Sequence, residues 1–142
     1  MTDPNEQSSQ MDIFLRRIGE ALAPYQLIEE SLKFYIEAGH WRIEMILRGR
    51  IPFRHPRSEY ENAPLERLIT MFGRHSDNED LIKRLRGALK KRNYVAHNAI
   101  NHYMEHPTMA QSISDDLKKI ENDGYDLVKE IRQELKKLRS SS

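Results

Sequence analysis

Residues 81–97 read Leu81-Ile82-Lys83-Arg84-Leu85-Arg86-Gly87-Ala88-Leu89-Lys90-Lys91-Arg92-Asn93-Tyr94-Val95-Ala96-His97. Leu81, Leu85 and Ala88 are spaced by four and three residues, Ile82 and Leu89 lie beside them, and Val95 closes the series. Alternating steps of four and three mark one helical face turned to a core. The position that should carry the next apolar side chain is Arg92. At about 100° per residue it lies only about 20° from Leu81, inside the apolar arc. A guanidinium stays ionised and is costly to bury without a partner. Either this face opens onto a cleft at Arg92, or an anionic group meets it there. Asn93 lies outside the arc, and His97 follows it by four residues, so the two side chains can touch if the helix continues.

Singly, these residues have ordinary structural readings. A lone arginine on an apolar face often bonds a carboxylate or the carbonyls of a helix end, and a lone histidine at such an end is often a cap. The set is more informative. Arg92, followed by polar Asn93 and by His97 after four intervening residues, resembles the R-x4-6-H signature of the HEPN superfamily. The likeness of architecture spans roughly Met11 to Leu138, although the diagnostic residues are three. The resemblance implies an all-α domain, metal-independent ribonuclease activity, and a site shared across a homodimer. It also implies a role as a toxin or antiviral defence effector. In the toxin branch paired with a minimal nucleotidyltransferase, a tyrosine stands two positions after the histidine. Here that position is Ala99, which argues against that branch and against tyrosine-directed silencing.

Outward from this stretch the chain reads as further helices. Upstream, Ser76 and Glu79 predict a capping box, and Glu79 and Asp80 favour the helix dipole. Pro64 begins a short helix carrying Leu65, Leu68, Ile69 and Phe72, closed by Gly73. Before it, Tyr25, Ile28, Leu32, Tyr35 or Ile36, Ile43, Ile46 and Leu47 predict a long helix ending near Gly49. Met11, Phe14, Ile18 and Leu22 predict an earlier one, with Pro24 either kinking it or starting the next. Downstream, the segment 98–107 has no clear pattern, and Thr108 with Gln111 predicts another capping box. Met109, Ile113, Leu117, Ile120, Gly124, Leu127, Ile131, Leu135 and Leu138 then hold a heptad-like seam. No stretch alternates with period two, so the expected fold is all-α, a four- or five-helix up-and-down bundle like that of the HEPN domains. Residues 11–138 form the single domain, with flexible tails at 1–10 and 139–142.

The 142 residues suffice for one core, and the balance of 32% charged to 38% hydrophobic residues suits wide polar faces. There is no cysteine, which removes disulfides and thiolate metal sites and points to the cytoplasm. No signal peptide or membrane-spanning run is read. The net charge of +1 is uninformative, but its distribution is not. Lys83, Arg84, Arg86, Lys90, Lys91 and Arg92 fall within ten residues without an acid among them. A second group, Arg42, Arg48, Arg50, Arg54 and Arg57, faces only Glu44. Solvated faces commonly look like this. Without acidic neighbours, however, Lys83, Arg84, Arg86, Lys90, Lys91, Arg50, Arg54 and Arg57 are expected to bind RNA phosphates. Phe53, Tyr94, His102 and Tyr103 could stack on unpaired bases, although such spacings more often serve a core.

His97, His102 and His106 invite a metal reading, but Pro107 interrupts the element and only Glu105 offers a nearby carboxylate, so no metal and no cofactor is expected. The nucleophilic-serine, phosphate-loop and dinucleotide motifs are missing. RNA cleavage needs neither, because the ribose 2′-hydroxyl attacks its own phosphate. His97 has the side chain suited to proton transfer near neutrality. Arg92 offers a planar fork to phosphate oxygens, and Asn93 can hold the imidazole or bond a phosphate oxygen. Two proton-transfer roles against one such histidine per chain call for a two-fold dimer with the helix from Leu81 to His97 at its interface. The expected function is therefore a metal-independent endoribonuclease, with RNA, a second copy and a neutralising protein as partners. The alternative is a non-catalytic module that binds RNA, a nucleotide or a protein through the same cleft. A duplex-DNA regulator ranks below both, since residues 73–78 are long for the turn of a turn-helix pair.

Overall fold

The apolar arc of Leu81, Leu85, Ala88 and Val95 is buried in a computed structural model, which describes residues 4–140. Among those residues there are five α-helices and no strand: α1 (Pro4–Leu47), α2 (Leu65–Gly73), α3 (Glu79–His97), α4 (Ala99–Glu105) and α5 (Ala110–Ser140). The fold is an all-α bundle. Its principal packing is between the two longest helices, α1 and α5. They run parallel: Arg17 lies 3.6 Å from Glu121, the Tyr25 hydroxyl donates to the Ile120 carbonyl at 3.1 Å, and Arg42 Nη1 donates to the Leu138 carbonyl at 3.0 Å. The third long helix, α3, runs antiparallel to α5, pairing Asn78 with Glu134, Arg84 with Glu130 and Lys91 with Asp123. The chain therefore goes up, down and up, with α2 and α4 as short pieces in the connections.

Pro24 does not divide α1. The helix runs through it for 44 residues, about 66 Å at 1.5 Å per residue. A proline inside a helix costs about 3 kcal/mol through its missing donor and its clash with the preceding turn. What offsets this is packing. Pro24 is buried, and a Cβ at Gly124 would lie 2.8 Å from its ring, so the absence of a side chain on α5 lets the two helices close there. Tyr25, Ile28, Leu32 and Ile36 follow in the core, each burial contributing about 1.5–3 kcal/mol. Burial pushes the Tyr25 hydroxyl up to about 12, with the Asp123 charge adding to the effect.

Other boundaries differ from the sequence reading for local reasons. Residues 4–10, expected as a loose tail, continue α1, with Asn5, Glu6, Ser8, Ser9 and Gln10 exposed, and α5 runs to Ser140; residues 1–3 and 141–142 lie outside those described. The cap of α3 is Asn78, whose side-chain oxygen accepts from the Leu81 amide at 3.1 Å. Ser76 instead accepts from the Asn78 amide at 3.1 Å. The unassigned segment contains α4, and a 3₁₀ turn at Pro107–Met109 precedes α5 in place of a Thr108–Gln111 box. Along α5 the seam from Ile113 onward is as read: Ile113, Leu117, Ile120, Gly124, Leu127 and Ile131 are buried, and Leu135 and Leu138 pack against the core. Met109, by contrast, lies in the 3₁₀ turn before α5 and is exposed.

At the end of α1, Arg48 and Gly49 both take positive φ, 48° and 75°, and reverse the chain. The returning loop lays Phe53, His55 and Tyr60 around His40, and His75 meets His40 from the far side of α2. His40 is buried with Nδ1 unpartnered, and burial, then the neighbouring His55, hold it below the usual imidazole value. Among the described residues no helix is long and apolar enough to cross a membrane.

Candidate active site

Everything that positions the motif follows from how α3 is tied to α5. The Asn78 cap fixes the first turn and donates to Glu134 at 2.9 Å. Arg84 reaches Glu130 at 2.6 Å and Asp80 at 3.9 Å, and Lys91 reaches Asp123 at 3.4 Å. Its hydrogen bond to Glu130 holds the Arg84 guanidinium more firmly protonated still. The expectation that the cluster lacks acidic partners is thus corrected for two of its members: the acids come from α5, more than thirty residues away in sequence. Both pairs are largely exposed and stabilise little, about 0–1 kcal/mol each, but they spend the charge of Arg84 and Lys91 inside the molecule.

The remaining cations are arranged differently. At about 100° per residue, Lys83, Arg86, Lys90, Asn93 and His97 fall within an arc of about 80°. All five are exposed. They form one line on the solvent face of α3, about 21 Å from Lys83 to His97. Lys83, Arg86, Lys90 and His97 make no side-chain hydrogen bond or ion pair with any described residue. The basic cluster is therefore two sets, one used for packing and one free.

Arg92 begins on the other side of the helix, within the buried arc. It is half-buried, makes no ion pair with any described residue, and sends Nη1 to the Asn93 side-chain oxygen at 3.2 Å. So the guanidinium turns outward and joins the polar line where Asn93 and His97 stand. Neither sequence alternative for Arg92 holds unaltered, because it is not a buried ion awaiting a carboxylate. Asn93 orients the guanidinium and not the imidazole. After His97 the backbone bends at Asn98, whose amide bonds the Tyr94 carbonyl at 2.8 Å, and α4 begins.

The histidines that follow the motif are placed otherwise. Tyr94 and His102 share a hydrogen bond at 2.8 Å, and His106 is exposed. Among the described residues no group of three His, Cys, Asp or Glu side chains could hold a metal ion. The second basic group lies at the other end of the bundle. Lys91 is level with Asp123 on α5, whereas Arg42 is level with Leu138, fifteen residues or about 22 Å further along. Arg50, Arg54 and Arg57 follow α1 at that far end, so no single surface patch unites them with the motif. Arg50 lines a cleft there beside Trp41 and Met45, residues the core stripe of α1 gave no reason to single out. Comparison with protein-family models, with curated proteins and with solved structures finds no match.

Proposed function

We propose that this protein is a metal-independent endoribonuclease of the HEPN type, which cleaves single-stranded RNA by attack of a ribose 2′-hydroxyl on the adjacent phosphate. The observation that carries the reading is the Arg92–Asn93 hydrogen bond at 3.2 Å beside an unpaired, exposed His97. It turns a fork of donors outward where a phosphate can reach it, next to an imidazole free to exchange a proton. In the reaction His97 takes the 2′-hydroxyl proton or returns one to the leaving 5′-oxygen. Arg92 stabilises the extra charge on the phosphate as it becomes five-coordinate. Lys83, Arg86 and Lys90, in line with His97, hold the strand along α3. Arg84 and Lys91 are assigned to packing and leave the RNA-binding set.

One chain brings one motif histidine to this surface, and the second proton-transfer role falls to the same residue of a second copy. We put the two-fold contact at the α3–α4 end. There Met104, Met109 and Ile13 are 63%, 44% and 64% exposed and supply the apolar area that the cationic face of α3 lacks. The competing reading, a non-catalytic module that binds RNA, a nucleotide or a protein, draws on the same open surface. RNA cleavage in excess EDTA by the wild type and by His97→Ala separates the two. The enzyme reading expects chelator-resistant cleavage that falls about 10²–10⁴-fold in the variant, the usual scale of general acid–base catalysis. Binding without cleavage, or equal cleavage by both proteins, would leave the module reading.

A further inference from the structure

The C-terminal ends of α1 and α5 enclose a cleft of about 790 Å³, far from the motif. Trp41, Met45 and Ile46 supply its apolar surface and are 53%, 72% and 68% exposed. Arg48, Arg50 and Arg139 stand on its rim, and their side chains make no hydrogen bond or ion pair with any described residue. Among the described residues no Asp, Glu or Lys lines it. Trp, Met and Arg are the residues enriched in protein interfaces, and Lys, Glu and Asp are the ones depleted. Trp and Arg are also where binding energy concentrates.

The cleft is also the end of a longer feature. Phe34, Ala38, Trp41 and Met45 follow one another at steps of four, three and four on the side of α1 turned away from the core. Phe34 is 54% exposed. Such spacing is a knobs-into-holes seam; the returning loop touches it where the His55 ring meets Trp41 edge-on at 5.2 Å and where Phe34 shares a hollow with Glu30, Glu37 and Glu61. Continuing the alternation toward the N-terminus meets Ser31, which is buried, so the exposed seam ends at Phe34. Within the cleft single-stranded nucleic acid would find one stacking platform, Trp41, where successive bases want several.

We infer that this seam and cleft receive an acidic amphipathic helix from a separate protein. Its apolar face lies on Trp41, Met45 and Ile46, and its carboxylates meet Arg48, Arg50 and Arg139. A helix fits because Ala38, Trp41 and Met45 have helical spacing, and acidic flanks fit because the charged residues lining the cleft, among those described, are all arginines.

Trp41 is the only tryptophan, so its emission reports the cleft directly. The full chain is titrated with two designed helical peptides that share leucines at the four-three-four spacing. One carries Glu at the flanking positions and the other Lys. The expected result is a blue shift with the Glu peptide at concentrations at least about tenfold lower than with the Lys peptide. In Arg50→Glu/Arg139→Glu that preference should reverse, a readout that misfolding cannot produce. Equal response to both peptides, or no shift up to about millimolar peptide, would overturn the inference. So would a blue shift on concentrating the protein alone, which would assign the seam to a second copy. Saturation by oligouridylate or by phosphatidylserine vesicles below the Glu-peptide range would overturn it as well, in favour of nucleic acid or a membrane surface.

Discussion

Arg92 starts about 100° round α3 from Asn93, yet its guanidinium reaches that amide at 3.2 Å. The bond holds a planar fork in one orientation, which lysine cannot reproduce although it keeps the charge. Arg92→Lys should therefore lower RNA turnover by roughly 10²–10³-fold, the scale of losing one preorganised donor. The same substitution should leave the melting temperature nearly unchanged, because the side chain is half-exposed and no carboxylate is left unpaired. Activity and thermal unfolding measured on one preparation decide the matter. A large fall in melting temperature with normal turnover per folded molecule would make Arg92 a structural residue.

Among the helices, the clearest contrasts lie between pairs of similar residues. Ala is better than Gly in a helix by about 0.5–1 kcal/mol. At Gly87 an added Cβ meets nothing within 4 Å, so Gly87→Ala should stabilise by that amount. At Gly124 it would meet the buried Pro24 ring at 2.8 Å, and overpacking costs about 1–3 kcal/mol, so Gly124→Ala should destabilise on balance. Denaturant midpoints check both signs. The cations divide in the same way. Reversing Lys83, Arg86 and Lys90 should reduce the salt dependence of single-stranded RNA binding by about 0.7 in log–log slope for each phosphate no longer neutralised. Neutralising Arg84 and Lys91 should leave it nearly unchanged, because Glu130 and Asp123 already answer them; equal changes in both variants would mean the division is unreal. These contrasts also mark where the sequence could be read. The apolar steps of α3 and α5 and the signals at Pro64 and Gly73 are local, and the helices stand where those signals put them. Continuity of α1 through Pro24 depends on Gly124, and the pairing of Arg84 and Lys91 depends on α5. Both are long-range, so no local pattern carries them. The outward turn of Arg92 is equally hidden, since its spacing alone places it in the apolar arc.

For the whole molecule the question is whether one chain is enough. The motif lies on an open face at one end of an up-down-up bundle, with one imidazole for two proton transfers. The seam on the outside of α1 leads instead to the far end, about 22 Å along α5, so the proposed partner helix and the RNA do not compete for the same residues. A shared site across a two-fold contact predicts that two defective chains can mend each other. The most direct measurement is RNA cleavage in EDTA by co-expressed Arg92→Ala and His97→Ala chains, against each variant purified alone. Random pairing puts about half of the dimers in mixed form, each keeping one Arg92 and one His97 at the common cleft, where either variant alone lacks one of the two entirely. With the second imidazole missing, the restoration is partial. Cleavage by the mixture well above the sum of the two separate variants is the expected result. A mixture no more active than that sum, from chains shown to have paired, would contradict a composite active site.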